Sequence, residues 1–223
     1  MNKKVFDQIY FERVFSEARM RPYFERYPGK TRRAELHYKQ NILLAESLCP
    51  SLAIFEVSLR NAIIRELERM TGKKEWYLFF KEQPVLRALY KYIQAAANHI
   101  KARGETVTPD KINGELTLGF WVSLFNAKYE KCLWKDLRRS FPNMPKSYRK
   151  RKNVSTPLNS IHALRNRVFH HESISWNLNS LAELHKQIIK VVGWIDSSLP
   201  VWMRRLDRFY RVIFDVRIRR WFW

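Results

Sequence analysis

Apolar residues in this chain recur at three- and four-residue steps, and no segment sustains the alternation of a half-buried strand. The clearest case is SLAIFEVSLRNAIIRELERM, residues 51–70, where Leu52, Phe55, Leu59, Ile63 and Leu67 fall on one face. Thr71-Gly72 supplies the stop, because glycine takes the left-handed conformation that ends a helix. Leu86, Leu89, Tyr90, Ile93 and Ala97 repeat the pattern after Pro84. Leu178, Leu181, Leu184, Ile188, Val191 and Ile195 repeat it between Asn177 and Ser198. Such patterning predicts an all-α fold of about five to seven helices on short connections, with neighbours antiparallel.

Punctuation divides the chain. Residues 1–30 read as an N-terminal helical extension in which Phe6, Tyr10, Phe11, Val14 and Phe15 share a docking face before the turn at Tyr27-Pro28-Gly29. Residues 31–198 form the main helical domain, and 199–223 a basic, aromatic C-terminal helix packed on it. Thr31 is the expected N-cap of a helix ending near Leu48, Pro50 its breaker, and Ser51 the cap of the next. Glu56 and Arg60, one turn apart, are expected to pair. Gly104 to Gly114 reads as a loop, Glu115 to Arg139 as two helical pieces, and the tail as a helix burying Leu206, Phe209, Ile213 and Val216.

Charge narrows the partner. The chain of 223 residues carries 42 Lys+Arg against 21 Asp+Glu, a formal net charge of +21. That field attracts polyanions, nucleic acid first and an acidic membrane surface second. Cys49 and Cys132 are far apart, which argues against a disulfide framework or zinc site and fits a reduced cytoplasm. Charges at Asp7, Glu12 and Arg13 interrupt any signal-like core behind Asn2, Lys3 and Lys4, and no membrane span is expected. Between Lys128 and Lys152 ten basic residues face only Glu130 and Asp136. The end of that run, FPNMPKSYRKRKN, reads as an exposed basic loop. Lys146, Arg149, Lys150, Arg151 and Lys152, interleaved with Phe141 and Tyr148, are its candidate RNA contacts.

The loop leads into LNSIHALRNRVFHHE, residues 158–172, with Ser155 or Thr156 as expected N-cap and Pro157 in the first turn. Leu158, Ile161, Leu164 and Val168 form its apolar face and Arg165 lies at the edge. His162, Asn166 and His170 make a separate stripe. Glycine-rich phosphate loops, a GxSxG elbow and HExxH are all missing, and adjacent His170 and His171 diverge too far on a helix to share a metal. What the cluster can run is acid–base chemistry on a substrate carrying its own nucleophile. In RNA the 2′-hydroxyl attacks the neighbouring phosphate, a histidine moves the proton, and a guanidinium holds the developing charge. Lone His37, His99 and His185 on predicted helices are expected to be non-functional, and His162 to be packed.

Arg165-Asn166-x-x-x-His170 resembles the Arg–polar–His motif of the HEPN superfamily of ribonucleases. With FEVSLRNAI at 55–63 and LGFWVSLF at 118–125, the chain resembles its Abi-like (abortive infection) branch over roughly residues 30–180. The resemblance implies a HEPN-like antiparallel helical bundle and metal-independent RNA cleavage leaving a 2′,3′-cyclic phosphate, without cofactors. It further implies a homodimer with facing motifs, a role in phage defence or as a toxin, and restraint by an antitoxin or a small noncoding RNA. On that resemblance Arg165 holds phosphate, Asn166 orients the site, His170 is the acid or base, and His171 and Glu172 are accessory. Five positions put Arg165 and His170 roughly 140° apart on an ideal helix. They converge only if the helix ends or distorts near Phe169 or a partner supplies the second group. The alternatives are a non-catalytic RNA-binding protein or adaptor in a defence complex, and a membrane-surface toxin acting through the tail.

Overall fold

The computed structural model describes residues 6–221, and within them the protein is all-α. Asn2, Lys3 and Lys4, and the last two residues of the tail, lie outside the described residues. The twelve α-helices among the described residues exceed the number expected because loops and junctions hold short ones. They are α1 (Gln8–Phe15), α2 (Glu17–Arg26), α3 (Thr31–Thr71), α4 (Tyr77–Glu82), α5 (Arg87–Ala102) and α6 (Pro109–Glu115). There follow α7 (Leu118–Ser123), α8 (Lys135–Leu137), α9 (Arg151–Phe169), α10 (Leu178–Ile195), α11 (Leu199–Met203) and α12 (Phe209–Trp221). The expected loop at 104–114 thus contains α6, which Thr108 caps and Pro109 opens. The two expected pieces of 115–139 break into α7, a 3-10 turn, a π turn at Glu130–Trp134, and α8.

α3 organises the rest. It runs 41 residues without stopping at Pro50, and α2, α7, α9, α10 and α12 all pack on it. A proline inside a helix costs about 3 kcal/mol through a lost hydrogen bond and a clash with the preceding turn. Packing on both sides offsets it: Leu44, Leu48, Leu52, Phe55 and Leu59 are buried in one core, each contributing roughly 1.5–3 kcal/mol. Thr31 therefore begins the helix after Lys30, and Ser51 is a buried mid-helix residue rather than a cap. The helix ends as expected, on Gly72 at φ 69°. Because Pro50 does not break it, α3 is also long and apolar enough to cross a membrane, with a mean hydropathy of 1.7 over its best stretch.

α9 shows the same override. It starts at Arg151 after Lys150, so Pro157 sits two turns in. Ser155 and Thr156 do not cap it. The Arg151 guanidinium locks the start instead, donating to Glu130 Oε2 (2.8 Å), the Phe125 carbonyl (3.0 Å) and Ser155 Oγ (3.1 Å). The preceding basic segment is mostly exposed, as expected, but it is pinned to the body. Phe141 and Met144 are buried, and Arg149 donates to the carbonyls of Pro142 (2.8 Å) and Met144 (2.6 Å).

The two ends of the chain are anchored differently. α1 and α2 meet at Ser16 (φ 73°) and build a small second core of Phe11, Met20, Tyr23 and Phe24 against Ala34 and Tyr38 of α3. Phe11 alone of the expected N-terminal face is buried, and Phe6, Val14 and Phe15 stay exposed. At the other end, His185 of α10 is fully buried, 2.7 Å from Asp207 Oδ2 and stacked on Phe209, which pins α12. Phe209, Ile213 and Val216 enter the main core as expected, whereas Leu206 is exposed.

Candidate active site

The last three turns of α9 carry the motif, and its buried face explains why they sit where they do. Val154, Leu158, Ile161, Leu164 and Val168 are all in the core. That fixes the rotation of the helix and leaves His162, Arg165 and Asn166 half-buried along its edge.

The three sequence blocks converge at that edge. Glu56 of α3 does not pair with Arg60, whose Nε reaches the Asn61 side chain instead. Its Oε2 lies 3.3 Å from Arg165 Nε, and the Arg165 guanidinium lies 4.7 Å from the centre of the Phe169 ring. On the next strip of the helix, His162 Nε2 and Asn166 Nδ2 are 3.2 Å apart. α7 closes the cluster with Gly119: a Cβ there would sit 3.2 Å from both Cε1 and Nε2 of His162. The glycine of LGFW therefore makes room for the imidazole. Burial, then the positive charge of Arg165, pull the His162 pKa below its ordinary value, with Glu56 opposing. His162 is packed, as expected, but packed into the site.

His170 stands apart. α9 ends at Phe169 with His170 as C-cap, so the helix stops where convergence required it to. The stop is a Schellman turn, in which Glu172 N–H donates to the Arg167 carbonyl (2.8 Å) and His171 N–H to that of Val168 (3.2 Å). His171 takes the left-handed position at φ 55°, normally glycine's. The His170 side chain is exposed and has no hydrogen bond or ion pair to a described residue. Arg165 and His170 thus share no hydrogen bond in the single chain. Glu172 is exposed, its Oε2 3.8 Å from Arg167 Nε.

What holds this turn was not legible in the sequence. Asn41 of α3, nearly fully buried, accepts at Oδ1 from the N–H groups of Ile174 (2.8 Å) and Ser175 (3.2 Å) and donates through Nδ2 to the Glu172 carbonyl (3.2 Å). Arg19 of α2 donates to the His171 carbonyl, and Arg167 to that of Ser173. Tyr23 bonds Ser173 Oγ at 3.0 Å, and His37, buried among Tyr23, Tyr27 and Trp176, lies 2.9 Å from Ser175 Oγ. His37 and His185, like His162, therefore have structural partners.

Of the five basic residues singled out, Lys146, Lys150 and Lys152 are exposed, while Arg149 and Arg151 are spent on backbone carbonyls and Glu130. No group of three or more His, Cys, Asp or Glu able to hold a metal occurs among the described residues. An open groove of about 750 Å³ borders the turn on its other side, walled by Phe15, Ile42, Ala45, Phe169 and His171. No family model, curated protein or solved structure matches this chain.

Proposed function

We propose that the protein is a metal-independent RNA endonuclease of the Abi-like HEPN type, acting in a prokaryotic defence or toxin–antitoxin system. The observation that carries the reading is the meeting of Glu56, Gly119, His162, Arg165 and Asn166 at one edge of α9, one turn before an exposed His170. Three stretches far apart in sequence supply one cluster, on a chain whose net charge of +21 draws in RNA. Arg165 exchanges Glu56 for the substrate phosphate, Asn166 orients it under the hold of His162, and His170 moves the proton of the 2′-hydroxyl or the leaving oxygen. No cofactor is called for.

In this reading the site is completed by a second copy. Arg165 of one chain is engaged by Glu56 and Phe169 and makes no hydrogen bond to His170, so a homodimer across the turn supplies the missing group. The groove beside His171, with exposed Val14, Phe15, Ile42 and Phe169, is the apolar surface such a copy would cover.

One pair of observations favours a second reading, an RNA-binding protein or adaptor without catalysis. The Arg165–Glu56 ion pair and the capping position of His170 are each sufficient structural reasons for those residues. Incubating purified protein with single-stranded RNA in EDTA separates the two. The nuclease reading expects cleavage by wild type, lowered about 10²–10⁴-fold in Arg165→Ala and His170→Ala. Binding without cleavage supports the second reading, and equal cleavage by all three rules out Arg165 and His170 as the catalytic pair.

A further inference from the structure

The site so far described lies at the C-terminal end of α9. At its N-terminal end, between α9, α10 and the segment before α9, lies a separate pocket of about 280 Å³. Tyr148 and Trp194 form its aromatic side, with ring centres 6.1 Å apart. Lys190 Nζ lies 5.3 Å from the Tyr148 ring centre and 5.4 Å from that of Trp194. Lys152, Asn153, Thr156 and Ser160 line the side given by α9, and no carboxylate is among the lining residues.

We infer that this pocket is a nucleotide subsite, binding one base and its phosphate from a single-stranded RNA that continues toward Arg165. Its chemistry has the three parts such a subsite needs. Aromatic faces stack a base without regard to its identity. Hydroxyl and amide groups on α9 meet base edges or the ribose 2′-hydroxyl. Lys152 and Lys190 supply the positive charge that a phosphate neutralises. The volume is just below the ~300 Å³ at which small-ligand clefts begin, enough for one flat base and too little for a large cofactor.

The platform is pre-built rather than assembled on binding. Asn153 Nδ2 and the Lys150 N–H both donate to the Tyr148 carbonyl at 2.8 Å. Arg149, next in the chain, is clamped to the carbonyls of Pro142 and Met144, and Asn143 N–H donates to the Trp194 carbonyl at 3.0 Å. Arg149 and Arg151 thus position Tyr148 and the start of α9. Tyr148 keeps 42% of its surface open to a ligand. Along α9, Ser160 and Asn166 are separated by about 9 Å of rise and roughly 120° of rotation, so a strand joining them curves around the helix over a few nucleotides.

The inference rests on RNA being the partner, but not on its cleavage, and the experiment keeps the two apart. Fluorescence anisotropy with a labelled single-stranded RNA octamer is read on the full chain carrying His170→Ala, alone and combined with Tyr148→Ala, Tyr148→Phe or Lys190→Met. Tyr148→Ala is expected to weaken binding roughly fivefold to a hundredfold, Tyr148→Phe less than twofold. Lys190→Met is expected to flatten the salt dependence by about 0.7 in logarithmic slope. Thermal melts by circular dichroism verify that each variant is folded. If folded Tyr148→Ala and Lys190→Met both bind as the parent does, or the parent binds no RNA, the subsite is overturned. Tyr148-dependent binding by a wild-type chain that cuts nothing would keep the subsite and sink the nuclease. Normal cleavage with Tyr148-independent binding would do the reverse.

Discussion

The two halves of the motif differ in how the fold treats them. Arg165 and Asn166 are half-buried, and each already has a partner: Glu56 for the guanidinium, His162 for the amide. His170, five positions on, is exposed and unpartnered among the described residues, yet the backbone carrying it is tied down by Arg19, Arg167 and above all Asn41. One half is held through its side chains, the other through its main chain. A left-handed residue is an ordinary helix stop, and the three hydrogen bonds made by the Asn41 amide are what set this end apart. Such a main-chain hold fits the proposal that this end presents a free imidazole at a fixed place.

The largest effect is expected where the main-chain hold is broken. Asn41→Ala leaves the buried N–H of Ile174 without its acceptor, at about 1–3 kcal/mol for such an orphan. A melt should show a clear loss of stability, and hydrogen exchange should rise at residues 172–175 more than at α9. Exchange rising equally across α9 would mean that the two halves are not held separately. Next comes His171→Gly, which relieves the left-handed position and should stabilise by about 1 kcal/mol in a denaturant titration. If stability falls instead, the His171 side chain has a folding role that the structure does not show.

Glu56→Gln acts on the other half. It removes the charge opposing Arg165, so RNA should bind a few-fold tighter while stability moves by less than about 1 kcal/mol, as for a part-exposed ion pair. Unchanged affinity would mean that Arg165 does not meet phosphate. The smallest effect is one of pH. Because folding depresses the His162 pKa below 6.5, the unfolded chain takes up a proton that the folded chain resists. That contribution is whole above pH ~6.5, shrinks as pH falls through that value toward the folded pKa, and is constant below it. His162→Gln should remove this part of the pH dependence, read as the slope of unfolding free energy between about pH 5 and 7. The same slope in both proteins would contradict the assignment.

Legibility followed the range of the interaction. The apolar faces of α3, α9 and α10 were readable because period and burial are the same fact, and Gly72 marked one helix end because a stop can be local. Pro50 and Pro157 misled for the converse reason: their cost is local and visible, while the packing that outweighs it comes from other helices. The Schellman turn after Phe169 lacked its sign because a histidine stands where glycine is usual. At the site, Arg165, Asn166 and His170 could be singled out by residue type and spacing. Glu56 could not be, since it lies 109 positions from Arg165 and its nearer arginine looked like the natural partner. Gly119 became meaningful only with an imidazole beside it.

The ends of the RNA fragments made in EDTA decide whether this chain cleaves by transesterification, because they record which oxygen attacked the phosphate. Attack by the 2′-hydroxyl leaves a 2′,3′-cyclic phosphate or its hydrolysis product on one fragment and a 5′-hydroxyl on the other, and those ends are expected. A 2′-deoxy substitution at the cut position should leave the strand intact. Fragments ending in 3′-hydroxyl and 5′-phosphate, or cleavage that ignores the 2′-deoxy substitution, would contradict transesterification.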